Sequence, residues 1–94
     1  MSWEVEYRSS VEKDVSRLPD HIRQEALQTI AGLRSEAFPQ GCKKLKGTRR
    51  QFGAGSRYRV RIARDYRLVY SVFKDSRLIQ IEFVGHRKDA YRWF

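Results

Sequence analysis

Arg57-Tyr58-Arg59-Val60-Arg61-Ile62 places an arginine at every second position, with an apolar group after each. A β-strand turns successive side chains to opposite faces. As a strand, this stretch carries three guanidiniums on one face and three apolar groups on the other. Arginines aligned on one face repel, which costs stability unless an anionic partner lies over them. The guanidinium is also a planar fork matched to phosphate. The stretch reads as a phosphate-gripping surface carried on a sheet.

Outward from this comb, the C-terminal side continues in strands. Arg64-Asp65 suits a tight turn, and Tyr66-Arg67-Leu68-Val69-Tyr70-Ser71-Val72-Phe73 reads as the next strand. A turn at 74–77 leads to a strand at 78–84, rich in β-branched residues. The tail 87–94 has the composition of a short helix. On the N-terminal side, residues 40–56 form a basic loop with an extended piece near 44–46. Before it, Ile22, Ala26, Leu27, Ile30 and Leu33 make an apolar stripe at helical spacing, running to about Glu36 and ended by Pro39 and Gly41. Val11, Val15 and Leu18 mark an earlier helix, broken at Pro19. Ser9 and Glu12 have capping-box spacing, and Asp20 is placed to cap the second helix. Trp3-Glu4-Val5-Glu6-Tyr7 alternates as a first strand.

The order is strand, two helices, then three hairpin-linked strands. This predicts an α+β fold spanning 1–94 as a single domain. Two N-terminal helices pack on one face of a four-stranded, mainly antiparallel sheet, with a short helix at the C-terminus. The opposite face is expected to be open. Tyr58, Val60, Ile62, Leu68, Tyr70 and Val72 would point at the helices. Gln80, Glu82 and His86 fall on the polar register of the last strand, so Arg59, Arg61, Arg67 and His86 would converge on one concave surface. A one-residue slip would scatter them.

The net charge of +9 is concentrated. Residues 1–40 carry −2, residues 41–70 carry +9 and residues 71–94 carry +2. Such asymmetry favours nucleic acid, an anionic membrane or an acidic protein partner, against the plainer reading of a solvated basic surface. Lys43, Lys44, Lys46, Arg49, Arg50 and Arg57 are expected to contact RNA backbone as diffuse charge. Cys42 is the only cysteine, so no intrachain disulfide forms. No apolar run is long enough for a membrane span, and no signal-peptide pattern is present, which points to a cytoplasmic protein.

One cysteine and two distant histidines give no metal-ligand spacing. Gly53-Ala54-Gly55 lacks the length and the Lys-Ser/Thr of a phosphate-binding P-loop. No serine nucleophile motif appears. Cationic groups, one histidine and aromatics remain, and no cofactor is called for. That set suits metal-independent cleavage of RNA, whose 2′-OH supplies the nucleophile. The protein must then align the backbone, neutralise charge and move protons. His86, after Val84-Gly85 at a strand end, is the candidate for proton transfer, the plain alternative being a hydrogen-bonded surface histidine. His21 reads as surface. Tyr91 suits stacking on a base or packing the tail onto the sheet.

Lys43-Lys44-Leu45-Lys46-Gly47, Tyr58-Arg59-Val60-Arg61, Asp65-Tyr66-Arg67-Leu68-Val69-Tyr70 and Val84-Gly85-His86-Arg87-Lys88-Asp89-Ala90-Tyr91, in this order and spacing, resemble the RelE branch of the RelE/ParE toxin superfamily. The resemblance spans nearly the whole chain. It implies a compact microbial-RNase-like fold and the toxin of a type II toxin–antitoxin system. Such toxins are metal-independent endoribonucleases that cut mRNA in the ribosomal A site, leaving a 2′,3′-cyclic phosphate and a 5′-OH. It also implies a cognate antitoxin that binds the toxin and blocks it, with mRNA and ribosomal RNA as further partners. The family's basic pair falls on Arg59 and Arg61, its next arginine on Arg67, and its C-terminal basic residue and tyrosine on Arg87 and Tyr91. Some relatives carry lysines at the first two positions. Arginine does not act as a general base, which moves proton abstraction to His86. The ParE branch, which poisons DNA gyrase, shares the fold without the nuclease set and is the main rival. A non-catalytic member that only binds antitoxin or RNA is the third reading.

Overall fold

In the computed structural model, which describes residues 2–45 and 55–90, the arginine comb lies within one strand of a mixed sheet. The elements run β1 (Glu4–Tyr7), α1 (Ser9–Ser16), α2 (Asp20–Leu33), β2 (Lys43–Lys44), β3 (Ser56–Ala63), β4 (Tyr66–Phe73), β5 (Leu78–His86) and α3 (Arg87–Ala90). The sheet has five strands in the order β1-β5-β4-β3-β2. Three hairpin-linked strands form its centre, as the sequence predicts. β1 joins β5 in parallel, and the extended piece at 43–44 pairs antiparallel with β3. That short edge strand raises the count from the expected four to five. Gly41, at φ 90°, provides the left-handed backbone of the turn that delivers the chain to it.

One face of the sheet takes the helices. Val11, Leu18, Ile22, Ala26, Ile30 and Leu33 pack on Val60, Leu68, Tyr70, Val72, Ile79, Ile81 and Val84 in one core. Leu27 stays 47% exposed. At 100° per residue it sits well off the line through Ile22, Ala26, Ile30 and Leu33, so it does not belong to the stripe. Trp3, Phe38, Tyr58 and Tyr70 then form an aromatic row with centroid separations of 6.3, 5.1 and 5.9 Å. The Tyr70 hydroxyl donates to the Ala37 carbonyl at 2.8 Å, tying the segment after α2 to the sheet.

The helix ends differ from expectation. Ser9 is already helical and Arg8 is the N-cap, without a side-chain cap bond, so Ser9 and Glu12 form no capping box. Pro19 takes the N-cap of α2. Asp20 instead sits in the first turn, where its carboxylate favours the helix dipole and pairs with Arg23 at 3.0 Å. α2 ends at Leu33, because the next amides bond three residues back, Arg34 to Ala31 and Ser35 to Gly32.

Candidate nucleic-acid interface

The antiparallel register decides which side chains share the face away from α1 and α2, because directly paired residues point the same way. Three rows cross the sheet there: Lys43, Arg59, Val69 and Phe83; Arg61, Arg67 and Gly85; and Arg57, Ser71 and Gln80. The comb thus stands beside Arg67 and is extended by Lys43. Arg61 is exposed, while Arg57, Arg59 and Arg67 are half-buried. One Arg67 nitrogen, Nη1, donates to the carbonyls of Tyr66 at 3.0 Å and Arg64 at 3.3 Å, which anchors the guanidinium along the turn. Lys44 pairs with Tyr58 and so takes the other face. Lys46, Arg49, Arg50 and Tyr91 lie outside the described residues.

This face is not bare, in contrast to the sequence expectation. Val69 and Ala90 are fully buried and Leu45 is nearly so, yet none of them belongs to the helix-side core. The short α3 turns back against β4 and β5. Glu82 is 3% exposed, accepts a 2.8 Å bond from the Ser71 hydroxyl and lies 3.6 Å from Arg8. Its carboxylate is thus held between the Ser71 hydroxyl and Arg8.

Glu82 also marks a bulge that overturns one expectation. The β4–β5 register shifts between Val69 and Tyr70, leaving Glu82 as an extra residue. Alternation flips at that point, so Phe83 and Gly85 join the arginine face, whereas Val84 and His86 face the helices. His86 does not converge with Arg59, Arg61 and Arg67. It pairs with Tyr66, meets that ring edge-on at 5.4 Å and shares a cavity with Asp14, Arg17 and Leu18 near the end of α1. The sequence does carry a sign of this: Ile79-Gln80-Ile81-Glu82 alternates, and Phe83-Val84 breaks the pattern.

The amide of Lys88 donates to His86 Nδ1 at 3.2 Å. In the neutral imidazole this places the proton on Nε2. Arg87 is held twice by Asp65, through its amide on the Asp65 carbonyl at 2.7 Å and through Nε at 3.6 Å from the carboxylate. The tight turn at Arg64-Asp65 thereby fixes where α3 begins, a link the sequence did not reveal. His21 is exposed, as expected. Among the described residues, no group of His, Cys, Asp and Glu is arranged to hold a metal ion, and no helix is long and apolar enough to cross a membrane.

Residues 5–91 match the model of the ParE toxin of type II toxin–antitoxin systems, parDE. The chain is 32% identical over 92 residues to a protein of Methanocaldococcus jannaschii named as toxin RelE1, covering 98% of each. Its fold is similar to the archaeal RelE–RelB complex of Pyrococcus horikoshii, with a TM-score of 0.77 at 30% identity, covering 93% of this chain and 97% of that one. It is also similar to the RelB–RelE antitoxin–toxin complex of Methanococcus jannaschii, with a TM-score of 0.70 at 26% identity, covering 95% and 98%.

Proposed function

We propose that this chain, which belongs to the RelE/ParE toxin superfamily of type II toxin–antitoxin systems, is an endoribonuclease that cuts mRNA in the ribosomal A site. The observation that carries this reading is the row of Arg61, Arg67 and Gly85 beside the row of Lys43 and Arg59, which sets cation opposite cation across neighbouring strands. Such rows fit a polyanion whose phosphates lie between them.

In this mechanism Arg61 and Arg67 brace the scissile phosphate, and Arg59 holds the adjacent backbone. The 2′ oxygen bonds to phosphorus, the bond from phosphorus to the 5′ oxygen breaks, and a 2′,3′-cyclic phosphate forms. His86 at the strand end takes the 2′-OH proton and passes it to the departing 5′ oxygen. To accept a proton at Nε2 the imidazole must carry its proton on Nδ1, giving up the Lys88 bond. Since His86 and the arginines of β3 and β4 occupy opposite faces of the sheet, the RNA must bend around its end beside Gly85. Arg87, positioned by Asp65, stabilises charge on the leaving oxygen. Tyr91 stacks on or orients a base. A cognate antitoxin covers this cationic surface, a partnership supported by the relatives' own toxin–antitoxin complexes.

A second reading, gyrase inhibition, is favoured by the ParE description of the matching family. Purified protein added to a translating extract, with mRNA ends mapped by primer extension, separates the two. Discrete new ends carrying 2′,3′-cyclic phosphate support the nuclease. Intact mRNA with blocked supercoiling supports the gyrase reading and refutes the nuclease.

A further inference from the structure

Glu82 is the one buried acidic or basic side chain among the described residues. It is also the residue that the β4–β5 ladder leaves over, between the pairs Tyr70–Ile81 and Val69–Phe83. The phosphate grip makes no use of it. Resting on the reading of His86 as the proton acceptor, we propose that Glu82 is a positioning residue. Its carboxylate, bound to Ser71, pins the bulge, and the bulge decides how the end of β5 presents His86 and Arg87.

The apolar pattern alone does not choose this register. Ile79-Gln80-Ile81 alternates cleanly, but Phe83 and Val84 are adjacent apolar residues, and either can take a core position. In a regular ladder every residue after Ile81 would stand one place further along β4. Glu82 would oppose Val69, Phe83 would oppose Leu68 and Val84 would oppose Arg67. Phe83 would then face the helices, while Val84 and His86 would face the arginines. The bulge leaves one residue out of the ladder, so it persists only where another contact offsets the missing pair.

That contact is between two buried side chains. The Ser71 hydroxyl donates to Glu82 Oε2 at 2.8 Å, and Arg8 Nη1 lies 3.6 Å from Oε1. A carboxylate is costly to bury without hydrogen bonds, so the side chain is tied to the place where its donor stands. Fixing a register is the best attested use of such buried polar groups.

The consequence lies at the strand end. With the bulge, His86 stands opposite Tyr66, and the Arg87 amide reaches the Asp65 carbonyl at 2.7 Å. A shift by one residue would set Gly85 opposite Tyr66 and His86 opposite Asp65. It would also carry Arg87 past both of its Asp65 contacts. Bulges beside working sites re-aim side chains in this way. Glu82 therefore acts through His86 and Arg87 and needs no contact with RNA.

The test is the cross-strand pairing of the full chain, read from amide and α-proton NOEs, together with cleavage rates on mRNA-programmed ribosomes. The wild type is expected to pair Gly85 with Arg67. Glu82→Gln, whose amide oxygen still accepts from Ser71, is expected to do the same and to cleave as the wild type does. Glu82→Ala is expected to move Val84 opposite Arg67 and to lower kcat roughly hundredfold, the cost of misplacing a reacting group by about 1 Å. Its KM is expected to stay at the wild-type value, because Arg59, Arg61 and Arg67 lie on β3 and β4. Ser71→Ala breaks the same bond and serves as the second variant should Glu82→Ala fail to fold. Wild-type pairing in the folded variants, a kcat that does not fall in them, or an equal loss in Glu82→Gln would overturn the proposal. Shifted pairing in Glu82→Ala without cleavage by the wild type leaves the register device standing and removes the nuclease. Cleavage by the wild type with unshifted pairing in Glu82→Ala does the reverse.

Discussion

Arg61 and Arg67 face each other across β3 and β4, and their repulsion has a measurable consequence. Directly opposed Cβ atoms lie about 5 Å apart, and such like-charge pairs destabilise by roughly 0.2–1 kcal/mol. For guanidiniums taken at that same separation, Coulomb's law in bulk water gives about 0.8 kcal/mol. A Debye length near 8 Å at physiological salt reduces that to about 0.4 kcal/mol. Arg61 is exposed, so replacing it removes little packing. Arg61→Gln should therefore stabilise the fold by about 0.4 kcal/mol, raising the melting temperature by roughly 2–3 °C for a domain this size. Arg61→Lys keeps the charge and should show no gain. The difference should vanish at 1 M salt, where the Debye length falls to about 3 Å. RNA cleavage should fall in the same Arg61→Gln protein, so stability and activity move in opposite directions. Calorimetry at two salt concentrations measures the first, and end mapping the second. A Gln variant no more stable than the Lys variant at low salt would mean that the comb is already neutralised within the fold. The argument for an external anion would then fail.

Two further outcomes follow from single contacts. Tyr70→Phe orphans the buried Ala37 carbonyl and should cost about 1–2 kcal/mol, read from urea unfolding. Burial raises the Tyr70 phenol far above its ordinary value. The unfolded chain ionises it near about pH 10 while the native state does not, so its contribution is complete below that pH and is lost above it. The wild type should therefore weaken more steeply above about pH 10 than Tyr70→Phe, and parallel alkaline limbs would contradict this. Gly85→Ala drives a methyl to 2.6 Å from Phe83 Cζ and should cost about 1–3 kcal/mol as the ring is displaced. An unchanged urea midpoint would show that the ring swings aside freely.

The strands were legible where alternation was clean. Arginine and apolar residues at 57–62 set both the strand and its facing, and the helix stripe at 22–33 set the buried side of α2. What failed was parity beyond Glu82. A bulge inserts one residue, and a pattern of period two carries no memory across it. Alternation carried past the bulge therefore puts His86 on the wrong face and does not mark Phe83 as sharing the arginine side. The expectation of a bare face failed for a related reason. Burial of Val69, Leu45 and Ala90 depends on the return of α3 and on an edge strand of two residues, and neither has enough length to leave a periodic signal. Asp65 holding Arg87 is a contact between two turns far apart in sequence, which local spacing does not encode.

The most direct measurement is the salt dependence of binding to a short single-stranded RNA, comparing the wild type with Arg61→Gln and Arg67→Ala. Each phosphate contact to a single strand contributes about −0.7 to the slope of log affinity against log salt. Each variant should flatten the slope by about that amount and weaken binding at low salt. Slopes identical to the wild type in both folded variants would show that the strands' arginines do not meet the nucleic acid backbone.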